Sequence, residues 1–313
     1  MHTIGLDIGG TKIAAGLVTE GGRVVRTVRR ETPANDVTAI EDAAADAVAE
    51  LVAEHDVEAV GVAAAGFVGV DRSTIVFAPN LAWRDEPMGR DLEARTGLPV
   101  VVENDANAAA WGEFRHGAGR DIEDMVLVTV GTGLGGGVVT DGRLLRGHAG
   151  FAAELGHVRV VPDGHRCGCG NRGCWEQYAS GRALVREARE LASTDSPMAA
   201  RLLELADGKP ERIEGPHVTQ AAEEGDPAAI ELLADLGRWL GEGLASIVAV
   251  LDPAVIVVGG GVSAAGDLLL QPTRAAFRRQ LTARGYRPEP RIVPALLGND
   301  AGVIGAADLA RLR

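Results

Sequence analysis

The chain repeats itself. Gly16 to Arg26 reads GLVTEGGRVVR and Gly137 to Arg146 reads GVVTDGRLLR. Glycine, valine, threonine, an acid, glycine and arginine recur in order, with one deletion, about 120 residues apart. Each copy follows a strand ending in a Gly/Thr loop, DIGGT at Asp7 to Thr11 and GTGLGGG at Gly131 to Gly137. A second echo closes each half. VVVENDANAAA (Val100 to Ala110) and ALLGNDAGVIGAA (Ala295 to Ala307) both read as a strand entering a helix through Asn-Asp-Ala, about 195 residues apart. Two echoes in one order imply a duplicated α/β unit. The difference in spacing, about 75 residues, places an insertion in the second half between roughly 147 and 225.

Local signals fill in each copy. Thr3 to Ile8 reads as a strand, and Ile13 to Thr19 and Arg23 to Arg30 flank the hairpin turn Glu20-Gly21-Gly22. Thr38 and Glu41 have capping-box spacing ahead of an alanine-rich helix that ends near Glu54. Val57 to Ala65 and Leu98 to Val102 read as buried strands. A helix follows from Asn104 to His116, with Asn104 or Asp105 at its N-cap.

Composition narrows the class. A net charge of −13 makes a poor binder of nucleic-acid phosphates. No stretch approaches the 18 or so apolar residues of a membrane span. Residues 1–15 lack a basic start and a long apolar run, so no signal peptide is read there. Three cysteines cannot pair fully, which argues against a secreted disulfide scaffold. A cytoplasmic protein is the expectation. The 42 glycines, about twice ordinary usage, are expected mainly in loops around one cleft.

The glycine motifs point to phosphate, but not through a familiar fingerprint. Gly131-x-Gly133-x-x-Gly136 fits the dinucleotide pattern literally, yet Gly137 to Gly142 reads as strand and turn. Without a helix N-terminus the pyrophosphate has no seat. No P-loop sequence exists, since Pro210 follows Lys209. Two Gly/Thr hairpins facing each other would form another kind of clamp, with backbone N–H groups brought close to an anion. A third cluster, Gly259-Gly260-Gly261, follows a buried strand, Val255 to Val258, and suits a flat ring or a phosphate against the backbone. Taken alone it reads as a tight helix–strand packing turn.

Cys167, Cys169 and Cys174 lie within eight glycine-rich residues. Thiolates at this spacing suit Zn²⁺, and a closed tetrahedral site needs a fourth ligand. His157 is the expected one, because His165 follows Gly164 in a turn that reads as mobile. With no open position the zinc would be structural, stapling the inserted segment and fixing Glu154, His157 and Glu176 relative to one another.

Together these residues resemble the ROK family of repressors, open reading frames and sugar kinases, and within it the bacterial glucokinases. DIGGT resembles the phosphate loop of actin-like ATPases, and ENDAN (Glu103 to Asn107) resembles the catalytic strand–helix junction. GTGLGGG resembles the second phosphate loop and VVGGGVS the adenosine loop. ELGH with CGCGNRGCWE resembles the zinc and sugar signature. The match runs from position 7 to about 305. It departs where Ala65, rather than proline, precedes Gly66.

The resemblance implies an α/β, duplicated actin-like (ribonuclease H-like) two-domain sugar kinase fold with a zinc-bearing insertion in the second domain. The expected domains are 1–110 plus 300–313, and 111–299. ATP and a sugar would be the substrates, with Mg²⁺ and a structural Zn²⁺ as metals. The family assigns Asp105 as general base and places Asn80, Asn104, Glu154, His157 and Glu176 around the sugar hydroxyls. Asp7 is expected to organise Mg²⁺. Gly9, Gly10, Thr11, Thr132 and Gly133 face phosphate, with Gly259, Gly260 and Gly261 at the adenosine. Lys12 reads equally as a phosphate contact or a solvated strand residue. Asp105 reads from local pattern alone as a helix cap, as Asp300 does in the second echo; the family match separates them. Lying at a helix N-terminus, Asp105 is expected to stay ionised and to be a weak base, suited to late proton transfer.

Glucose is the expected sugar. A mannose or N-acylmannosamine kinase is the nearest alternative, and polyphosphate is an alternative donor to ATP. A non-catalytic sugar sensor is the third reading. Sensors of the family carry a DNA-binding segment before the phosphate loop, and only six residues precede Asp7 here. The family also implies a homo-oligomer.

Overall fold

The computed structural model describes residues 2–79 and 81–312. The first half runs β1 (His2–Ile8), β2 (Lys12–Thr19), β3 (Val24–Glu31), α1 (Val37–Val52) and β4 (Val57–Ala64). A small antiparallel sheet follows, β5 (Phe67–Val68), β6 (Ile75–Phe77) and β7 (Arg84–Glu86), which no sequence signal announces. Then come α2 (Met88–Thr96), β8 (Val100–Asn104) and α3 (Asp105–His116). The second half opens with β9 (Met125–Val130), β10 (Leu134–Thr140) and β11 (Arg143–Leu144). The inserted segment carries α4 (Gly181–Ser193), α5 (Ala200–Leu205) and α6 (Gly215–Glu223). The second half closes with α7 (Pro227–Leu251), β12 (Val255–Gly259), α8 (Asp267–Gln280), β13 (Arg291–Pro294) and α9 (Ala301–Arg311).

The two large sheets share one plan. Their orders are β3-β2-β1-β4-β8 and β11-β10-β9-β12-β13, an antiparallel hairpin edge leading into parallel strands. The duplication read from the sequence is therefore present as a repeated topology. Equivalent helices even start alike. Asp36 accepts the Ala39 N–H at the head of α1, and Asp226 accepts the Ala229 N–H at the head of α7. The cap of α1 is thus Asp36 and not Thr38, which lies inside the first turn. Glu41 is drawn instead into the core side of the helix, where Arg95 meets it at 2.7 Å.

Compactness divides the chain elsewhere than the sequence-based bounds. One unit comprises Met1–Leu127, Gly136–Glu154 and Ala295–Arg313; the other comprises Val128–Gly135 and Leu155–Pro294. In the first unit, Ile4, Leu6 and Ile8 of β1 and Val60 and Val62 of β4 pack against Ile40, Ala44, Val48 and Leu51 of α1. Alternation along the strands turns Gly5 and Gly61 to the other face. There α9 lies so close that a Cβ on either glycine would sit 1.8 Å from a carbonyl oxygen, that of Val303 or of Ala306. Part of the glycine excess therefore serves helix-on-sheet packing rather than loops. In the second unit α7 packs along α8, with β12 paired to β13 in parallel register from Val255 opposite Arg291. No helix among the described residues is long and apolar enough to cross a membrane.

Candidate active site

In the first unit the end of β1 and the β8–α3 junction supply the polar groups. Gly9 to Thr11 form a tight reversal in which the Gly9 N–H donates to the Lys12 carbonyl at 3.0 Å. Thr32 fixes the turn from β3, its hydroxyl donating to the Gly9 carbonyl at 2.8 Å. Thr11 and Lys12 are exposed. Burial raises the Asp7 carboxyl above its usual range, and the Lys12 charge partly opposes that.

At the junction Asn104 is the N-cap. Its Oδ1 accepts the Asn107 N–H at 3.0 Å, and its Nδ2 donates to the Gly66 carbonyl and to Asp105 Oδ1, at 3.1 and 3.0 Å. Asp105 Oδ1 also accepts the Ala106 N–H at 2.9 Å. Both donors thus go to one oxygen, and Oδ2 has no hydrogen-bond partner among the described residues. Burial, with the like charge of Asp7, pushes the Asp105 pKa up to about 6. This corrects the expectation from the helix dipole. Desolvation outweighs the donors to its carboxylate, so Asp105 is a stronger base than an ordinary aspartate. The echo at Asp300 differs as well. Asp300 takes the N-cap position of α9 with no side-chain hydrogen bond to the helix, so it does not cap as the sequence suggests.

The second unit carries the other glycine turns. The Gly131 N–H donates to the Gly133 carbonyl at 3.0 Å. The Gly131 and Thr132 carbonyls accept N–H groups from Gly181 and Arg182 at the head of α4, at 2.8 and 3.3 Å. Gly260 has φ +87°, and a Cβ there would lie 2.6 Å from the Val130 backbone, so only glycine fits. Gly259 ends β12, and Gly261 begins the one-turn helix that follows. A cavity of about 1000 Å³ opens here, lined by Thr132, Arg182, Arg186, Gly215, Gly261 and Val262 among others. Its α4 and α6 walls come from the insertion and were missed in the sequence. The available signal was the Ser180 cap, whose hydroxyl accepts the Ala183 N–H and sets the start of α4 beside Thr132.

The cysteine cluster also lies in the second unit. One ligand atom from each of His157, Cys167, Cys169 and Cys174 falls within 4.8 Å of every other. Cys169 Sγ is 3.6 Å from Cys174 Sγ, and Cys167 Sγ is 3.6 Å from His157 Nδ1. A tetrahedral zinc with its usual bond lengths needs edges of roughly 3.8 Å between sulfurs and 3.6 Å from sulfur to nitrogen. The four residues fit such an ion. His165 instead stacks on Tyr178, ring centres 5.3 Å apart. Glu176 adjoins the cluster, its Oε1 accepting from Cys167 Sγ at 2.9 Å and its other oxygen facing Gly133.

The described sites therefore fall into two groups. Asp7, Gly9, Gly10, Thr11, Lys12, Asn104 and Asp105 belong to the first unit. Thr132, Gly133, His157, the cysteines, Glu176 and the 259–261 glycines belong to the second. Glu154, half-buried, ends a stretch of the first unit. Asn80 lies outside the described residues.

A repeated β-hairpin-and-crossover unit, glycine turns after the first strand of each copy and a half-buried aspartate at a strand–helix junction define the actin-like sugar kinases. Within that class the chain belongs to the ROK family, whose model matches residues 3–313. It is 53% identical to a glucokinase of Streptomyces coelicolor, over 99% of this chain and 97% of that protein. It is 36% identical to an N-acetylmannosamine kinase of Escherichia coli, over 99% of both. A crystal structure of a ROK glucokinase from Streptomyces griseus, in complex with glucose and AMPPNP, matches all of this chain at TM-score 0.93 and 54% identity.

Proposed function

We infer that the protein is an ATP-dependent glucokinase that transfers the γ-phosphoryl group of ATP to the 6-hydroxyl of D-glucose. The observation that carries the reading is Asp105, half-buried, with one oxygen saturated and the other open, and with desolvation raising its pKa to about 6. In the reaction the sugar O6 bonds to the γ-phosphorus, the bond from phosphorus to the β,γ-bridging oxygen breaks, and ADP leaves. The O6 proton passes to Asp105 Oδ2. A base with a pKa near 6 is mostly ionised at neutral pH yet accepts a proton more readily than an ordinary carboxylate. Asn104, hydrogen-bonded to Gly66 and to Asp105, orients that carboxylate and keeps one lone pair of its Oδ1 for a sugar hydroxyl. Asn80, Glu154, His157 and Glu176 are the remaining sugar contacts in this reading.

The glycine turns at 9–11 and 131–133 offer N–H groups to the phosphates, and the cavity beside Gly261 takes the adenosine. Lys12 adds positive charge at the first turn. Asp7 would hold Mg²⁺, which supplies charge neutralisation on the phosphates when bound. Zinc, held by His157, Cys167, Cys169 and Cys174, would fix the segment that carries Glu176. A cytoplasmic homo-oligomer accords with this reading. A coupled ADP-release assay over a panel of hexoses tests it, with kcat/KM expected to be highest for glucose. The E. coli relatives make N-acetylmannosamine the rival substrate, and a higher kcat/KM for that sugar would replace glucose. No sugar-dependent ADP release would favour a sensor.

A further inference from the structure

Glu103 stands one residue before the Asn104–Asp105 pair, and only 1% of it is exposed. A buried carboxylate needs partners, and this one has four. Oε1 accepts the Asn104 N–H at 3.0 Å and Asn107 Nδ2 at 3.2 Å. Oε2 meets Arg72 Nη2 at 3.3 Å and Arg146 Nε at 2.8 Å. The Arg146 Nε–H is not aimed along that line, so this contact is an ion pair rather than a hydrogen bond.

The arginines are themselves held. Arg146 donates from Nη2 and Nη1 to the Gly69 and Val70 carbonyls, at 2.8 and 3.1 Å. Arg72, in the left-handed region at φ +53°, accepts the Val102 N–H on its carbonyl at 2.8 Å. One carboxylate thus joins three pieces of backbone: the β5–β6 loop, the segment after β11, and the turn from β8 into α3.

We propose that Glu103 is a positioning residue for phosphoryl transfer: clamped by Arg72 and Arg146, it fixes the Asn104 amide and so the aim of the Asp105 carboxylate. This rests on the base assignment above and goes beyond it. Glu103 touches no reacting atom. Its effect passes through the Asn104 N–H, which sets the plane from which Asn104 Nδ2 reaches Asp105 Oδ1. The open oxygen, Oδ2, is aimed by what its saturated twin accepts. Displacing a reacting group by about 1 Å is enough for a hundredfold loss of rate.

The test compares Glu103→Ala, Glu103→Gln and Arg146→Met in the whole chain, with Asp105→Ala as reference. Glu103→Ala is expected to lower kcat about 10- to 100-fold, and Glu103→Gln less, because it keeps an acceptor for the Asn104 N–H. The KM for glucose should change less than about threefold. The acid limb of kcat against pH should move upward where the Asn104 Nδ2 bond to Asp105 is lost, against the smaller downward pull of the Arg72 and Arg146 charges that Glu103 no longer neutralises. Arg146→Met should move kcat and the limb in the same directions by smaller amounts. Where Glu103→Ala does not fold, the other two variants carry the test. A kcat within about twofold of wild type in all folded variants overturns the proposal. So does a loss that follows only the folded fraction with the acid limb unmoved. Failure of the base assignment shows separately, as continued turnover by Asp105→Ala.

Discussion

Arg26 and Arg146 occupy the same place in the two copies of the repeat, and they do different work. Arg26 lies on the surface and pairs with Glu50 of α1 and with Glu54 just beyond its end, all three partly solvated. Arg146 reaches a carboxylate that is almost wholly buried, and its remaining N–H groups go to loop carbonyls. The same contrast holds at the second echo. Asn104 caps its helix through its side chain and Asp105 is desolvated beside Asp7, whereas the Asp300 side chain makes no capping bond. Duplication supplied two equal frames. Buried charge gathers at one strand–helix junction and not at its twin, which marks that junction as the one to test for chemistry.

The sharpest way to break that comparison is to remove both aspartates in turn. Asp105→Ala should reduce kcat by about 10²- to 10⁴-fold, the range for a lost general base, with glucose binding still measurable by calorimetry. Asp300→Ala should stay within a few-fold, and an equal loss there would erase the distinction between the copies. In the wild type, kcat should fall about tenfold per pH unit well below pH 6, as Asp105 takes up its proton.

The insertion has no counterpart in the first copy, and the zinc proposed for it offers the next test. Metal analysis should find about one zinc per chain. Cys174→Ala should lose that zinc and about 5 °C or more in Tm. A zinc-free preparation with unchanged Tm and activity would remove the metal from the account.

The arginine pair comes third. Arg146→Met strips the larger partner from a buried carboxylate and should destabilise by about 2–3 kcal/mol. Arg26→Ala loses surface ion pairs and should change stability by less than about 1 kcal/mol. Denaturant unfolding of both variants decides whether burial or sequence position sets the difference.

The smallest effect concerns the equivalent helices. Glu41, fifth in α1, is buried with Glu86 and Asp91 nearby, and burial raises its pKa to about 7; Glu231, fifth in α7, is exposed. A carboxyl whose pKa is higher folded than unfolded binds more protons in the native state. Its contribution is present below pH 4.5 and is lost as pH rises toward about 7. The loss has a slope of at most about 1.4 kcal/mol per pH unit. Glu41→Gln should therefore flatten the fall of Tm between pH 5 and pH 7 (the window set by that shift), while Glu231→Gln should not. Identical pH profiles for the two variants would deny Glu41 its special place.

What the sequence discloses depends on how far apart the cooperating residues lie. The hairpins, the Asn-Asp-Ala junctions and the cysteine cluster are contiguous, so repeat and spacing reveal them. The small sheet β5–β7 stays hidden because its strands are only two or three residues long. The raised pKa of Asp105 needs the burial that packing brings and the charge of Asp7, which are products of the fold. Glu103 reads as one more polar residue until Arg72 and Arg146 arrive from other segments. At the head of α1 the contiguous signal misleads. Two residues with capping spacing stood near a better acceptor, Asp36.

The seat of α9 has a consequence for biosynthesis. The strands β1 and β4 precede α9 by roughly 240 residues or more, yet Gly5 and Gly61 lie directly against α9, residues 301–311. The nascent first unit must wait, with that face of the sheet open, until nearly the whole of this chain has been translated. Until α9 has emerged, that waiting face is where a chaperone would be needed most.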